Sequence, residues 1–554
     1  MGGSAAKRRI VYQIYPKSFY DSDQDGIGDL KGITAKLDYL KALGVNTLWL
    51  NPIYASPQID NGYDVSDYYQ LDLTFGTWDD FAELVKQVHA KGMELILDLV
   101  LNHTSDQHPW FKEALKDKQS KYRDYYIWQE APAGKLPNNW GSFFGGSVWQ
   151  ADPTTKNNYY FHLFAKEMPD LNWKNPAVRE EMYQVAKFWL AQGIDGFRLD
   201  AFIHIAKADL AQNVLTDSDS PQIAEMFYAN LPAVKTYLAE FIGRLRQEKP
   251  DIFILGEAAS ADIDLAVTYT TPEKKACDTV VTFRYFTDDE SYLDQELPRI
   301  GQLLPLDLKA FRTNMLEWQK RLEGVSYPTL YWSNHDLPRI VTRFAPKKAP
   351  EKAAKMLATL MYLQRGIPCI YYGEELGMRS AFLPDLASFE DEQIIDFATK
   401  AQAKGKTPEE ILKMASQAHK MAARTPLRWD DSDFGGFSSV LPWKWGQETS
   451  ASIKAQMADE KSVLSFYQQV LALKQTDLFI DGRFILENTE PELYVYRRIL
   501  AGKEALVLCN LSEHPQTVAL SAPGKVCLSS NAKVHEKSVT LKEYGCLVLM
   551  REGI

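Results

Sequence analysis

Eight short apolar runs, each followed by a longer amphipathic stretch, restrict this chain more than any other feature of its sequence. The runs are Ile10–Ile14, Val45–Leu50, Glu94–Val100, Ile194–Leu199, Ile252–Leu255, Asp278–Val281, Thr329–Ser333 and Ile367–Tyr372. Helical patterns lie between them, among them Leu30–Leu43, Trp78–Lys91, Val178–Gln192 and Lys235–Glu248. Strands alternating with helices make a parallel sheet with right-handed crossovers, and eight is the number that closes a TIM barrel. The spacing therefore predicts an α/β protein with a (β/α)8 barrel over 1–103 and 172–478. The gap after the third run is too wide for a bare loop. Residues 104–171, rich in Trp, Tyr, Gly, Asn and Pro, are expected to form a small inserted domain. A second insertion, at about 379–445, contains a helical segment near Pro408–Ala423. After the helix expected at Val463–Lys474 the pattern changes to short alternating runs, Leu493–Ile499, Ala505–Leu508, Ser538–Leu541 and Cys546–Met550. These predict a C-terminal all-β domain over 479–554, expected as a β-sandwich.

Charge narrows the partners. The 62 Lys+Arg against 73 Asp+Glu leave a net −11, which argues against nucleic acid, since polyanion binding draws on clustered basic charge. Neutral ligands stay open, and 12% aromatic residues would suit stacking on sugar rings as well as a large core. No run of about 18 apolar residues predicts a membrane span. Five scattered Cys with no CxxC suggest neither a disulfide framework nor a zinc site, and free thiols fit a reducing cytoplasm. The opening segment Met1–Arg9 has no apolar stretch behind it, so a signal peptide is not expected.

In a barrel, catalytic groups sit where strands end at the C-terminal face. The third run ends in DLVLNH (98–103), the fourth in GFRLD (196–200), the fifth in LGE (255–257) and the seventh in SNHD (333–336). One such carboxylate alone reads as a helix N-cap. Three carboxylates, two His and an Arg at equivalent positions read as chemistry. Arg198 and Asp200 are two apart on one strand and share a face, so the guanidinium is expected to keep Asp200 ionised, as a nucleophile needs. Glu257 follows an apolar run, a setting that keeps a carboxyl protonated and ready to donate. Such a pair is the machinery of glycoside hydrolysis. Separately, Asp21-Ser-Asp23-Gln-Asp25-Gly26-Ile27-Gly28-Asp29 carries oxygen donors at loop positions 1, 3, 5 and 9, with the Ile27 carbonyl at 7, as in a calcium loop. Position 12 is Gly32, so it is not an EF-hand.

The ordered set DLVLNH, GFRLD, LGE and SNHD resembles that of the α-amylase superfamily, glycoside hydrolase family 13. The segments YQIYPKSFYDSDQDGIGDLKGI (12–33), QIDNGYD (58–64), SFFGGSVW (142–149), PDLNW (169–173), YYGEELGM (371–378) and ARTPLRWD (423–430) resemble its oligo-1,6-glucosidase and α-glucosidase subgroup. The resemblance covers about residues 10–480. It implies Asp200 as nucleophile, Glu257 as general acid/base and Asp336 as the third carboxylate. It implies further that His103 and His335 bind hydroxyls of the reacting glucose, that Arg198 orients Asp200, and that Asp98 supports Arg198. Asp60 and Arg424 match a pair that closes the pocket around one terminal glucose, with Tyr63 as stacking platform and Phe144 and Phe164 as apolar walls. A structural Ca2+ or Mg2+ at Asp21, Asp23, Asp25, Ile27 and Asp29 is implied, and no organic cofactor.

Ala201 departs from the subgroup, where Val beside the nucleophile accompanies α-1,6 preference; a smaller residue favours α-1,4 links. Met168, Leu337 and the run Phe283–Phe286 are further departures around the entrance. The expected activity is that of an exo-acting retaining α-glucosidase on short, maltose-type oligosaccharides, with some transglycosylation. The alternative is an oligo-1,6-glucosidase or dextran glucosidase, with a sucrose isomerase or a trehalose-6-phosphate hydrolase ranking behind. The resemblance leaves monomer and homodimer both open. A non-catalytic relative, such as a transporter heavy-chain ectodomain, lacks the acidic set present here.

Overall fold

The computed structural model describes residues 6–553 apart from 219, 273–275 and 346–347; the first five residues of the opening segment lie outside it. Eight parallel strands appear where the apolar runs predicted them: β1 (Val11–Ile14), β2 (Thr47–Leu50), β3 (Glu94–Val100), β4 (Gly196–Asp200), β5 (Phe253–Glu257), β6 (Thr279–Val281), β7 (Thr329–Leu330) and β8 (Ile367–Tyr371). Their order, β6-β5-β4-β3-β2-β1-β8-β7, is that of a nearly closed barrel. Helices cover one face and barrel side chains fill the other, which is why the strands read as unbroken apolar runs. Between β6 and β7 side chains bridge the seam: the Thr279 and Thr329 hydroxyls lie 2.8 Å apart, and Tyr331 donates to the Thr282 carbonyl at 2.6 Å.

Three expectations are redrawn by local chemistry. The helix expected over 30–43 breaks at Lys36 into Leu30–Ala35 and Leu37–Leu43, just after the weak helix formers Ile33 and Thr34. The helix expected over 408–423 ends at Ala418. There His419 turns extended, its imidazole capping the Met421 amide and bonding Asp391, and a short 3-10 turn, Lys420–Ala423, follows. That break swings Lys420 and Arg424 toward the barrel mouth. The same insertion holds a second helix, Glu392–Ala403, which was not expected. In the tail, the runs expected at Ser538–Leu541 and Cys546–Met550 belong to one strand, Ser538–Glu552, bent at Tyr544 (φ 49°). It joins Arg483–Leu486, Leu493–Leu500, Lys503–Asn510, Gln516–Ala519 and Lys525–Val534 in one continuous antiparallel sheet.

Residues 104–171 carry a helix, Pro109–Lys116, and a three-stranded sheet of Trp128–Glu130, Asn158–Phe161 and Trp149–Ala151. Their apolar centre, Trp140, Val148, Trp149, Phe161 and Leu163, is completed by Ala224 and Tyr228 from the long loop after β4. The insert is thereby fastened to the barrel over the site.

Just after β8, Glu374 and Glu375 are buried side by side. Tyr362 and Tyr467 donate to Glu374, and Tyr12 and Tyr39 donate to Glu375 at 2.7 and 2.5 Å. Burial pushes Glu374 up to about 8, against the pull of the two hydroxyls. A folded pKa above the unfolded value means this stability is complete below about 4.5 and is lost as pH rises toward about 8. Glu374→Gln should therefore flatten the fall in melting temperature between pH 5 and pH 8. Parallel curves for variant and parent would contradict it.

Candidate active site

Four strand ends or the loops after them deliver the polar residues to one cavity of about 680 Å3. β3 and its extension supply Asp98 and His103, β4 supplies Arg198 and Asp200, β5 ends on Glu257, and the loop after β7 supplies His335 and Asp336. Strand register sets Arg198 directly beside Asp98, and alternation points Asp200 the same way as Arg198. Arg198 and Asp98 lie beneath the cavity, and Asp200, Glu257, His103, His335 and Asp336 line it.

One guanidinium joins three carboxylates. Arg198 Nη1 donates to Asp98 Oδ1 and Asp200 Oδ1, each at 2.5 Å, while Nη2 pairs with Glu257 Oε2 at 2.9 Å. The chain turns sharply after Asp200: Ala201 adopts φ 46°, and its amide donates to Glu257 Oε2 at 2.9 Å. Trp49 and Tyr63 donate to Asp98 Oδ2, at 2.8 and 3.1 Å. Arg198 does not serve Asp200 alone. Burial pushes Asp200 well up and Glu257 and Asp98 add to it, against Arg198; burial likewise pushes Asp98 up to about 6. A single positive charge set among three buried carboxylates makes ionising all of them together costly. One ionised and one protonated carboxyl is the state that double displacement requires.

Asp336 stands opposite. Burial works against its charge, but His335, Lys420 and Arg424 outweigh burial and hold its carboxyl well below the usual range. Lys420 Nζ and Arg424 Nη2 each lie 3.3 Å from its Oδ1. Gln13 donates its amide to His335 Nδ1 at 2.8 Å, so Nε2 carries the proton and faces the Tyr63 hydroxyl at 2.7 Å. Burial lowers His103 to about 4, leaving a neutral ring. Asn102 approaches its Nδ1 at 3.3 Å, and its buried Nε2 has no partner among the described residues. A buried N–H facing a cavity is a place for a ligand oxygen.

Two expected roles change. Asp60 and Arg424 both line the cavity but form no ion pair; Arg424 is spent on Asp336 and the His335 carbonyl (2.8 Å). Tyr63 lines the cavity, yet its ring stacks on the His335 imidazole at 5.3 Å and 6°, and its hydroxyl serves the Asp98 network. Phe164 packs on His103 (5.2 Å) and on Phe144 (5.7 Å), which is exposed at the rim. Ala201 lies in the wall, as do Met168 and Phe283.

The α-amylase catalytic-domain family model matches residues 13–482. The chain belongs to glycoside hydrolase family 13. It is 41% identical to an oligo-1,6-glucosidase of Parageobacillus thermoglucosidasius, over 92% of this chain and 90% of that one. It is 38% identical to an α-glucosidase of Pediococcus pentosaceus (95% of each) and to a trehalose-6-phosphate hydrolase of Bacillus subtilis strain 168 (91% and 89%). A solved structure described as a family GH13_31 enzyme superposes with a TM-score of 0.92 at 46% identity, covering 99% of this chain and 100% of that one. As a family 13 member the chain is a glycoside hydrolase acting on α-glucosides.

Outside the barrel mouth, the loop after β1 brings carboxylate oxygens of Asp21, Asp23 and Asp29 within 4.8 Å of one another. Asp25 stands apart from this group and accepts the Ile27 amide at 2.8 Å. Burial and the neighbouring carboxylates of Asp25, Asp29 and Asp21 raise Asp23. Like charges held this close suit a hard, oxygen-seeking cation.

Sequence reasoning missed Lys420, which lines the cavity and contacts Asp336. It also missed Lys207, which pairs with Asp170 at 2.7 Å and braces Asn102 at 3.0 Å. Lys420 lies one turn before Arg424, so helical spacing was the available signal; nothing local pointed to Lys207.

Proposed function

We propose that the chain is an exo-acting, retaining α-glucosidase favouring short α-1,4-linked substrates such as maltose. The Arg198 bridge between Asp200 and Glu257 carries this reading. It holds one oxygen of each carboxyl on neighbouring nitrogens of a single guanidinium, which supports the short separation of about 5 Å of retaining enzymes over the roughly 6.5–9.5 Å of inverting ones. Asp200 attacks the anomeric carbon while Glu257 protonates the departing glycosidic oxygen. Glu257 then takes a proton from water, which opens the glucosyl-enzyme. A sugar entering in place of water gives transglycosylation. His103, His335 and Asp336 hold the glucose hydroxyls, and the end of the cavity near Asp60 and Arg424 limits it to one terminal residue.

Linkage is read at Ala201. A methyl group next to the nucleophile leaves space on the leaving-group side, where valine would fill it. Maltose should turn over faster than isomaltose, and Ala201→Val should shift the ratio of their kcat/KM values toward isomaltose by about tenfold, within the range one or two methyl groups can impose. A parent enzyme preferring isomaltose would overturn the linkage reading in favour of an oligo-1,6-glucosidase, with the chemistry unchanged. A phosphorylated substrate finds less support: Lys420 and Arg424 are engaged by Asp336, and Arg284 shares the mouth with Glu225, Asp288 and Glu290.

Asp21, Asp23, Asp29 and the Ile27 carbonyl would hold a Ca2+ or Mg2+ that ties down the loop after β1. A cation bound only by the folded state raises stability by mass action, so excess chelator should lower the melting temperature and added Ca2+ should restore it. An unchanged melting curve would remove the ion from the account. The five unpaired cysteines, four of them buried, support a reducing compartment.

A further inference from the structure

The blind end of the cavity lacks the ion pair expected to close it, and a different side chain occupies that position. Lys420 is three-quarters buried, its Nζ lies 3.3 Å from Asp336 Oδ1, and it sits 5.6 Å from the centre of the Phe144 ring. Behind it lies a second cavity of about 530 Å3, between the insert and the 389–421 segment. Asp60, Phe144, Phe164, Lys420 and Arg424 line both spaces and so form the partition between them. Within that partition Arg424 is held by the His335 carbonyl and Asp336, and Asp60 has no salt-bridge partner. Lys420 pairs with Asp336 but lacks the second, backbone bond that fixes Arg424, which leaves it the cation better placed to answer Asp60 and an incoming hydroxyl as well.

We propose that Lys420 closes the terminal-glucose end of the pocket and selects neutral sugar there, pairing with Asp336 and facing Asp60. This rests on the α-glucosidase reading for the identity of the sugar. Burial pushes Asp60 up to about 6 against the pull of Lys420 and then Arg424, with Asp336 and Asp64 adding to the rise. Four carboxylates, Asp60, Asp200, Glu257 and Asp336, thus line the sugar position with two cations, Arg424 and Lys420. Removing Lys420 leaves the pocket one charge more negative without changing its shape much, since methionine has nearly the same length.

The test compares two ligands of one shape and different charge, glucose and its protonated piperidine analogue 1-deoxynojirimycin, by calorimetry on the parent, Lys420→Met and Lys420→Arg. In Lys420→Met glucose should bind at least tenfold more weakly while the cationic analogue binds as well as before or better. Lys420→Arg should restore the parental ratio. For maltose, KM should rise at least tenfold with kcat within about threefold, the mark of lost uniform binding. Equal weakening of both ligands would assign Lys420 a merely structural part, and no change in either would remove it from the site; both results overturn the proposal. Because binding is measured without turnover, these outcomes stand apart from failure of the parent to hydrolyse an aryl α-glucoside, which would count against the activity itself.

Discussion

Asp200→Asn is expected to lower kcat for an aryl α-glucoside by at least about 10^4-fold while leaving the melting temperature unchanged or higher. The amide keeps the shape of the carboxylate and can still accept from Arg198, so the strand end is not displaced. What is lost is the attacking charge. Stability should not suffer, because Asp98 and Glu257 crowd the same guanidinium and add to the cost of ionising Asp200. Removing one member relieves that repulsion, the usual relation between a strained site and the fold that carries it. Azide supplied to Asp200→Gly should enter the vacated space and give the β-glucosyl azide. Turnover by Asp200→Asn above about one per cent of the parent's would rule out Asp200 as the nucleophile.

Glu257→Gln should separate the two half-reactions. With maltose, whose leaving hydroxyl needs a proton, kcat should fall by about 10^2–10^4-fold, the range of general acid catalysis. With a dinitrophenyl α-glucoside, whose leaving group needs none, the first step should survive and show a burst of phenolate followed by slow turnover. Azide needs no general base, so it should accelerate the second step and yield the α-glucosyl azide. The two azides, β from the aspartate variant and α from the glutamate variant, report which face each carboxyl serves. The Ala201 amide that now donates to Glu257 Oε2 can donate equally to the glutamine carbonyl, so the backbone turn at Ala201 is kept. Equal losses on both substrates, with no burst and no azide response, would deny Glu257 the acid/base role.

The barrel was legible because parallel strands buried on both faces must be apolar throughout, and β3 and β8 show this as seven and five consecutive buried or nearly buried residues. The carboxylates stood out because residues just past such strands have no packing duty to explain them. What stayed hidden depends on contacts between distant segments. Trp140 finds its partners at Ala224 and Tyr228 in a loop with no periodic pattern, so nothing local announced that the insert's core is shared. The helix break at His419 arises from its bond to Asp391 rather than from a Pro or Gly, and that break decides where Lys420 and Arg424 go. The crowding at Asp200 stayed hidden for a related reason. Spacing shows that Arg198 and Asp200 share a face, but only strand register shows that Asp98 and Glu257 claim the same guanidinium.

The anomer of the first glucose released tests the central claim most directly. A nucleophile and an acid/base paired in this way predict two displacements, so proton NMR during the first minutes on an aryl α-glucoside, whose leaving group is not a sugar, should show α-glucose appearing ahead of mutarotation. β-Glucose as the first product would mean a single displacement by water, and the arrangement of Asp200, Arg198 and Glu257 would not be working as described.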